Sequence, residues 1–347
     1  MADTWMAGTC GGNIEGRKMD GRKMGGKHRW QKHGWQKNGR ENIEGRNMDG
    51  RKMNGRKMVG RNNWGGRMGD GHMTRFFQII VVFVAVAWWP LWAGSSNKTT
   101  GILTALPEEM RVLSQHLKDK HTKTFLGVTF HTGKLQGRKV ILATTGIGKV
   151  NAAKTAALLL DRFHPGEVIF SGVAGGLNPD LAPGDIVVAT RTAQHDFGKL
   201  TERGFEPQTP TPETPLFIAA HEGLLRAADR AAARVELEPI ITTHGTRMPR
   251  VIRGVIITGD VFVASSTKVA ELRETFKADA VEMEGAAVAL VCWQQRVPCM
   301  VIRSISDKAD VGASEDFERF IKMAADNSAR FTLELLKAMA EQPIGKQ

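Results

Sequence analysis

The change from a strand to a helix is clearest in one stretch, Gly101-Ile102-Leu103-Thr104-Ala105-Leu106-Pro107-Glu108-Glu109. Its first six residues form a nearly unbroken apolar run, which is typical of a strand buried on both faces. Pro107 suits the first position of a helix, and Glu108 and Glu109 complement the positive end of the helix dipole. We therefore predict a buried strand that is followed at once by a helix.

The same alternation continues toward the C-terminus. Further strands are predicted at Val140–Ala143, Val168–Phe170, Ile186–Ala189, Val255–Ile257, Ala280–Met283 and Met300–Ile302. Further helices are predicted around 150–162, 215–233, 267–275, 285–296 and 314–338. Alternating strands and helices, with several strands apolar throughout, favour a sheet that is buried on both faces. We predict an α/β fold for residues 97–347, a single domain with a central twisted mixed sheet flanked by helices.

Residues 1–72 have a different composition. The first 75 residues carry 17 Lys and Arg against 7 Asp and Glu, which leaves 31 against 29 for the rest. One phrase recurs there, as in Ile14-Glu15-Gly16-Arg17-Lys18-Met19 and Gly50-Arg51-Lys52-Met53. We predict a disordered low-complexity repeat, or upstream sequence translated from a start set too early; a basic arm for RNA or lipid is the functional alternative. Since the remaining chain is nearly neutral, it is predicted to have no nucleic-acid partner.

Residues 73–96 have the pattern of an export signal. A short positive start precedes an apolar run over residues 76–93, and Ala93 and Ser95 are small residues suited to a cleavage site. The run approaches the ~20 residues that a membrane-spanning helix needs, so an uncleaved membrane anchor is the alternative. Either way we expect export, with a periplasmic or secreted domain if the signal is cleaved.

Three cysteines, Cys10, Cys292 and Cys299, imply no disulfide framework. Cys292 and Cys299 also lack further ligands at zinc spacing. We predict that they are packing thiols, and we predict neither a metal nor a cofactor.

Polar or glycine-rich motifs stand directly after several predicted strands. In open α/β sheets a ligand lies beyond the carboxyl ends of the strands, so these motifs are candidates for a site. Singly, each has an ordinary structural explanation, such as a helix cap or a turn with positive φ. The motifs are Glu108-Glu109, Gly172-Val173-Ala174-Gly175-Gly176, Glu282-Met283-Glu284 and Arg303-Ser304-Ile305-Ser306-Asp307.

A further glycine-rich turn, Thr145-Gly146-Ile147-Gly148-Lys149, is a weak candidate for a phosphate loop. The Gly-x-x-x-x-Gly-Lys-Ser/Thr spacing is absent, and no third glycine completes a dinucleotide-binding pattern. We predict tight packing between a strand and a helix instead.

Seven motifs together resemble the nucleoside phosphorylase/nucleosidase family over almost all of residues 101–340, in the family's order. The likeness is to its bacterial methylthioadenosine/S-adenosylhomocysteine nucleosidases. The motifs are Ala105-Leu106-Pro107-Glu108-Glu109, Thr145-Gly146-Ile147-Gly148-Lys149-Val150-Asn151-Ala152-Ala153, Gly172-Val173-Ala174-Gly175-Gly176-Leu177, Gly184-Asp185-Ile186-Val187-Val188, Thr258-Gly259-Asp260-Val261-Phe262, Val281-Glu282-Met283-Glu284-Gly285-Ala286-Ala287 and Arg303-Ser304-Ile305-Ser306-Asp307.

The resemblance implies hydrolysis of the N-ribosidic bond of a purine nucleoside by two carboxylates. Cleavage passes through an oxocarbenium-like sugar, so the leaving base must be neutralised and a water must be activated. By resemblance, Asp307 protonates purine N7 with Ser306 holding it, and Glu109 activates the water. Glu284 is implied as the acceptor for a ribose hydroxyl, with Arg303 as a supporting cation behind it. The implied substrate-binding set is completed by Met283, Phe262, Val263, Gly175 and Phe317.

Hydrolysis is favoured over phosphorolysis by what two positions lack. The phosphorylases of this family resemble one another in placing an Arg and a Ser or Thr against phosphate, where this chain has Phe170 and Val173. Without these donors a phosphate dianion is poorly bound. The nucleosidases themselves usually carry Ser where Val173 stands, and the segment Ile240–Arg253 is longer than their pattern, so the alkylthio pocket is expected to depart from theirs.

Two alternatives stay open, a purine nucleoside phosphorylase and an exported storage or binding protein without turnover. Retention of Glu109, Glu284 and Asp307 counts against the second. The resemblance also implies a homodimer in which a partner loop, near Gln194-His195-Asp196-Phe197, closes the pocket.

Overall fold

The computed structural model describes residues 99–242 and 245–342. The predicted repeat of residues 1–72, the predicted signal or anchor of residues 73–96 and Cys10 lie outside the described residues. Within the described ranges, no helix combines the length and the apolar character needed to cross a membrane.

The described residues form fourteen strands and six helices. The strands are β1 Thr100–Thr104, β2 Lys118–Phe125, β3 Val128–Leu135, β4 Arg138–Thr144, β5 Glu167–Gly176, β6 Ile186–Gln194, β7 Gly198–Thr201, β8 Gly204–Pro207, β9 Ile218–Ala219, β10 Ile240–Thr242, β11 Gly245–Arg247, β12 Val251–Thr258, β13 Ala280–Glu282 and β14 Cys299–Asp307. The helices are α1 Pro107–His116, α2 Lys149–Phe163, α3 Glu222–Ala232, α4 Ser266–Phe276, α5 Gly285–Gln294 and α6 Ala313–Glu341.

The main sheet mixes parallel and antiparallel pairs, which confirms the predicted mixed sheet. Its order is β13-β12-β6-β14-β5-β1-β4-β3-β2, with β9 paired to β6. Strand β13 pairs in parallel with β12 and antiparallel with β5, so that β13, β12, β6, β14 and β5 close into a ring. Gly175 of β5 is thereby paired with both Val281 of β13 and Asp307 of β14. The closure therefore brings three of the polar motifs together.

The two faces of the sheet are covered by different helices. Side chains alternate across a strand, so Leu103 and Phe170 lie in one core cluster while Ile102 and Ile169 lie in another. The first cluster includes residues of α2 and α5, and the second includes residues of α1, α3 and α6. Cys292 and Cys299 are free buried thiols in the first cluster, where they pack as predicted.

Strands β2 and β3 are not among the predicted elements. They pair antiparallel through a two-residue turn, Leu126-Gly127, whose φ angles of 47° and 77° are positive. Such turns match the twist of a hairpin. The side chains of β2 are exposed along nearly its whole length, so this strand lacks the apolar periodicity by which strands are recognised.

The predicted helix over 215–233 is wrong at its N-terminal end. Helix α3 begins only at Glu222, and the His221 ring before it accepts a hydrogen bond from the backbone N–H of Gly223 at 3.1 Å. Ile218 and Ala219 pair with β6 instead. Because Ile218 is buried by that pairing, a tertiary contact overrides the local helical pattern.

Candidate active site

The glycine-rich end of β5 lies against both predicted catalytic carboxylates. A Cβ atom added to Gly172 would lie 2.5 Å from Oε1 of Glu109 and 3.1 Å from Nη1 of Arg303. A Cβ atom added to Gly175 would lie 3.0 Å from Oδ1 of Asp307. These glycines are required for close approach, because a side chain at either position would press on a carboxylate.

Glu109 lies buried in the first turn of α1. Its Oε2 accepts hydrogen bonds from the backbone N–H groups of Ala105 at 2.7 Å and Leu106 at 2.9 Å, and its Oε1 accepts one from Val173 at 2.9 Å. Burial raises the pKa of Glu109 above its ordinary value, although the charge of Arg303 and these three N–H groups oppose the change. The carboxylate is held in one orientation and has the raised proton affinity that suits a general base.

Asp307 is the last residue of β14 and is also buried. Its Oδ2 accepts a hydrogen bond from the Ser306 hydroxyl at 2.7 Å, and its Oδ1 accepts one from the Ala309 N–H at 2.8 Å. Burial raises the pKa of Asp307 above its ordinary value. The charges of Asp316 and Asp310 raise this pKa further, whereas the hydrogen bonds from Ser306 and Ala309 lower it. A carboxyl group with raised proton affinity can donate a proton near neutral pH.

Glu284 stands immediately before α5 and faces the turn after β4. Its Oε1 accepts a hydrogen bond from the backbone N–H of Gly148 at 2.7 Å. Burial and then the charge of Glu282 raise the pKa of Glu284 to about 8, while Arg303 and the Gly148 amide act in the opposite direction. The site thus holds a third carboxyl group whose pKa is raised by burial.

Arg303 lies behind these glutamates and is almost fully buried. Its Nη2 is 2.5 Å from Oε2 of Glu282 but 3.9 Å from Oε2 of Glu284. Its Nη1 donates to the carbonyl oxygens of Phe170 and Ile302, and the guanidinium carbon lies 4.2 Å from the centre of the Phe170 ring. The short contact of the cation is therefore with Glu282, and its charge acts on Glu284 from a greater distance.

Glu282 is the site residue that the sequence reasoning missed. Besides Arg303, it accepts hydrogen bonds from the Thr258 hydroxyl, from the Gly285 N–H at 2.7 Å and from the Glu284 N–H at 3.1 Å. The sequence showed only that Glu282 lies in the same motif as Glu284, because the pairing of Glu282 with Arg303 is a tertiary contact.

The residues that the sequence predicted as pocket walls differ in their burial and in their contacts. The rings of Phe262 and Phe317 meet edge to face with centroids 5.9 Å apart, and Phe317 packs against the small cluster around Val173. Met283 is half-buried between the two glutamates. The side chain of Val263 is buried in a core cluster with Leu272 and Phe276 of α4, so it does not form an exposed wall of the predicted pocket.

The turn Thr145–Lys149 binds carboxylates of the protein itself. Gly148 has a φ of 95°, and its N–H donates to Glu284. The N–H of Lys149 donates to Oδ1 of Asp260 at 2.7 Å. These two groups are the first of α2 and lack partners within the helix, so the turn orients a site carboxylate. The positive φ angles of Gly146 and Gly148 account for the glycines of the turn.

Comparison with known proteins identifies the family of this site. The family model of the phosphorylase superfamily matches residues 99–337. The chain belongs to the phosphorylase superfamily. It is 39% identical over 251 residues to the 5'-methylthioadenosine/S-adenosylhomocysteine nucleosidase of Mycobacterium bovis. The aligned region covers 70% of this chain and 98% of the relative. It is 36% identical to the aminodeoxyfutalosine nucleosidase of Campylobacter jejuni, over 69% of this chain and 98% of the relative.

A solved structure carries the same likeness. The crystal structure of the 5'-methylthioadenosine/S-adenosylhomocysteine nucleosidase from Neisseria meningitidis, in complex with methylthio-immucillin-A, shares 37% sequence identity with this chain. The TM-score is 0.61, and the match covers 70% of this chain and 99% of that chain. The fold and family that the seven motifs predicted are confirmed, and these relatives are nucleosidases.

The side chains of Phe170 and Val173, the two positions where phosphate donors are predicted to be missing, are both buried. The Phe170 ring lies against the Arg303 guanidinium, and Val173 packs against Ala324 and Ala325 of α6. Neither side chain can donate a hydrogen bond to an anion. Among the described residues, no group of three or more His, Cys, Asp or Glu is placed to hold a metal ion.

Proposed function

We propose that this chain hydrolyses the N-ribosidic bond of a purine nucleoside, such as methylthioadenosine or S-adenosylhomocysteine, and releases adenine. The observation that carries the proposal is the pair of buried carboxyl groups, Glu109 and Asp307, which approach Gly172 and Gly175 at one end of β5. Burial raises the pKa of each group, Glu109 and Asp307 alike. Two such groups fit the general base and the general acid that this reaction requires.

Asp307 is proposed as the acid that protonates N7 of the purine as the C–N bond breaks. Ser306 donates to one carboxyl oxygen of Asp307 and the Ala309 amide donates to the other, which fixes the direction of proton delivery. Protonation of the base is needed because an anionic purine is a poor leaving group.

Glu109 is proposed as the base that takes a proton from the attacking water. Its three backbone hydrogen bonds hold the carboxylate in place, and the nearby charge of Arg303 favours its ionised form. Glu284 is proposed to accept a hydrogen bond from a ribose hydroxyl, and Phe262, Phe317 and Met283 to border the base and sugar. A precise position of water and sugar is worth several orders of magnitude in rate.

Water is favoured as the nucleophile over phosphate because Phe170 and Val173 supply no anion donors and Arg303 is already paired with Glu282. The nucleosidase names of the relatives support the same choice. Hydrolysis of methylthioadenosine would place the enzyme in methionine salvage.

We also propose that the protein forms a homodimer and that it is exported. A homodimer is supported by three exposed apolar side chains near the site, those of Val150, Phe197 and Val261. Export is supported by the signal-like sequence of residues 73–96, with a membrane anchor through residues 76–93 as its alternative.

The direct test incubates the chain with methylthioadenosine, S-adenosylhomocysteine and aminodeoxyfutalosine, with and without phosphate, and measures free base and sugar products. We expect base release at a rate that does not depend on phosphate. Formation of a ribose-1-phosphate derivative in proportion to added phosphate would establish a phosphorylase. Tight binding without any base release would establish a binding protein.

A further inference from the structure

Three charged residues, one at the start of α2 and two in the loops after β6 and β12, form a closed network beside the candidate site. Lys149 follows β4, Asp196 follows β6 and Asp260 follows β12. The Lys149 ammonium lies 2.5 Å from Oδ1 of Asp196, and Oδ2 of Asp196 accepts a hydrogen bond from the Asp260 N–H at 2.8 Å. Oδ1 of Asp260 accepts one from the Lys149 N–H at 2.7 Å, which closes the circle.

The network is one residue away from the group that holds Glu284. Gly148 precedes Lys149 and donates its N–H to Oε1 of Glu284 at 2.7 Å. The backbone at this point has a φ of 95°, and Oδ1 of Asp260 lies 3.2 Å from where a Cβ on Gly148 would be. The position of the Gly148 amide is therefore determined by Glu284 on one side and by the network on the other.

Glu284 depends on this amide for its orientation. Arg303 lies 3.9 Å from Glu284 and gives its short contact to Glu282. A carboxylate that accepts a directed backbone hydrogen bond is held more firmly than one that faces a cation at a distance.

The ion pair between Lys149 and Asp196 is expected to persist across the physiological pH range, because Asp196 stays ionised. Burial alone would raise the pKa of Asp196, but the Lys149 ammonium and the Asp260 amide bring it below its ordinary value. Asp196 therefore stays ionised across the physiological range, and the Lys149 ammonium keeps a charged partner.

We propose that Lys149, Asp196 and Asp260 are positioning residues, which hold the Gly148 amide against Glu284 so that this carboxylate faces the ribose hydroxyl. The inference rests on the proposed nucleosidase function. It assigns part of the ribose affinity to a set of charges outside the site itself.

The test uses Asp196→Asn and Lys149→Met in the full chain, with Lys149→Arg as the conservative variant. We expect the KM for methylthioadenosine to rise about tenfold in the first two, because one oriented hydrogen bond to the sugar is weakened. We expect kcat to change by less than about threefold, and the inhibition constant of free adenine to stay as in wild type. Lys149→Arg should restore most of the KM, since it keeps the positive charge.

The matched control is Asp229→Asn, which removes the carboxylate of a half-exposed ion pair with Arg253 on another part of the surface. It should keep the wild-type KM. Melting temperature and mass by light scattering are recorded for every variant, because Asp196 lies beside the proposed dimer contact.

A wild-type KM in both Asp196→Asn and Lys149→Met would overturn the inference. A parallel loss of adenine affinity, or loss of the dimer, would also overturn it, because the role would then be structural. If wild type releases no base from any nucleoside, the proposed function fails. The affinity for methylthioadenosine, measured by calorimetry, then decides the inference. We expect about a tenfold loss of affinity in Asp196→Asn and Lys149→Met, and an unchanged affinity would contradict the inference.

Discussion

Glu109, Asp307 and Glu284 are three buried carboxyl groups that differ in their hydrogen bonds. Glu109 accepts three backbone N–H groups, Asp307 accepts a hydroxyl and one N–H, and Glu284 accepts one N–H. Burial raises the pKa of each of the three. Because their surroundings differ, replacement of each should have a different consequence.

Asp307→Asn should lower kcat by about 10²–10⁴, because the amide cannot protonate the leaving purine. Asn keeps the shape of the side chain, so methylthioadenosine should still bind. The measurement is steady-state release of adenine together with calorimetric binding. A variant that keeps normal turnover would remove Asp307 from the role of acid.

Glu109→Gln should also lower kcat by about 10²–10⁴, since a water molecule is no longer deprotonated. Glu108→Gln is the matched control, because Glu108 is the exposed neighbour in the same helical turn. It should behave as wild type. Added phosphate should rescue neither Glu109→Gln nor Asp307→Asn, and a rescue by phosphate would support the phosphorylase alternative.

Glu284 should make folding stability depend on pH. Its pKa is about 8 in the folded chain and 4.5 in its ordinary state. Between these values the folded state binds the proton more tightly, so the stabilisation is complete below pH 4.5 and is lost as the pH rises through about 8. Glu284→Gln should flatten this fall in the free energy of unfolding.

Urea unfolding over about pH 5–8 measures the effect. Glu271→Gln, which removes a half-exposed carboxylate on α4, should keep the wild-type slope. An unchanged slope in Glu284→Gln would show that Glu284 is not the group responsible.

At the scale of elements, the end of β5 is the part on which the site depends. Strand β5 contacts β1 and β14 along its length and meets β13 at Gly175 and Gly176. The strand supplies no catalytic side chain. Its contribution is the absence of side chains at Gly172 and Gly175, which lets Glu109, Arg303 and Asp307 approach the backbone.

Gly172→Ala should therefore lower activity without any change in a catalytic residue. The new Cβ would lie 2.5 Å from Oε1 of Glu109, and a displacement of about 1 Å can cost about 10²-fold in rate. Gly312→Ala is the control, because its Cβ would make only an ordinary contact, 3.5 Å from Asp310. The measurement is kcat alongside far-UV circular dichroism, and a wild-type kcat in Gly172→Ala would contradict the assigned geometry.

At the scale of the whole molecule, three exposed apolar residues bear on the proposed homodimer. Val150, Phe197 and Val261 are 79%, 40% and 59% exposed. Each directly follows one member of the Lys149–Asp196–Asp260 network, so the contacts of the network bring the backbone next to the three side chains together. Contiguous exposed apolar surface is typical of an interaction site.

Val150→Glu should therefore convert a dimer into a monomer and lower activity, because a charge would be buried at the contact. Leu126→Glu is the control, since Leu126 is equally exposed at 79% but lies in the β2–β3 turn. Light scattering at several protein concentrations measures the mass. A fully active wild-type monomer would refute the homodimer.

The sequence by itself predicted much of the element order and the candidate carboxylates, because both depend on short-range patterns. Pro107 with Glu108 and Glu109 indicated a helix start, and helix α1 begins at Pro107. Apolar runs indicated the buried strands, and the order of seven short motifs was enough to recognise the family. Patterns of this kind are fixed by residues within about ten positions of one another.

Only the tertiary structure decided which charged groups meet. Glu282 pairs with Arg303 across 21 positions, and the Gly148 amide meets Glu284 across 136 positions. Both contacts depend on the closure of the sheet, in which β13 pairs with β12 on one side and β5 on the other. Strand register and ring closure follow from the packing of the whole core, so no local pattern encodes them. Burial in the folded chain raises the pKa of Glu109, Glu284 and Asp307, and burial requires that the whole core exclude water.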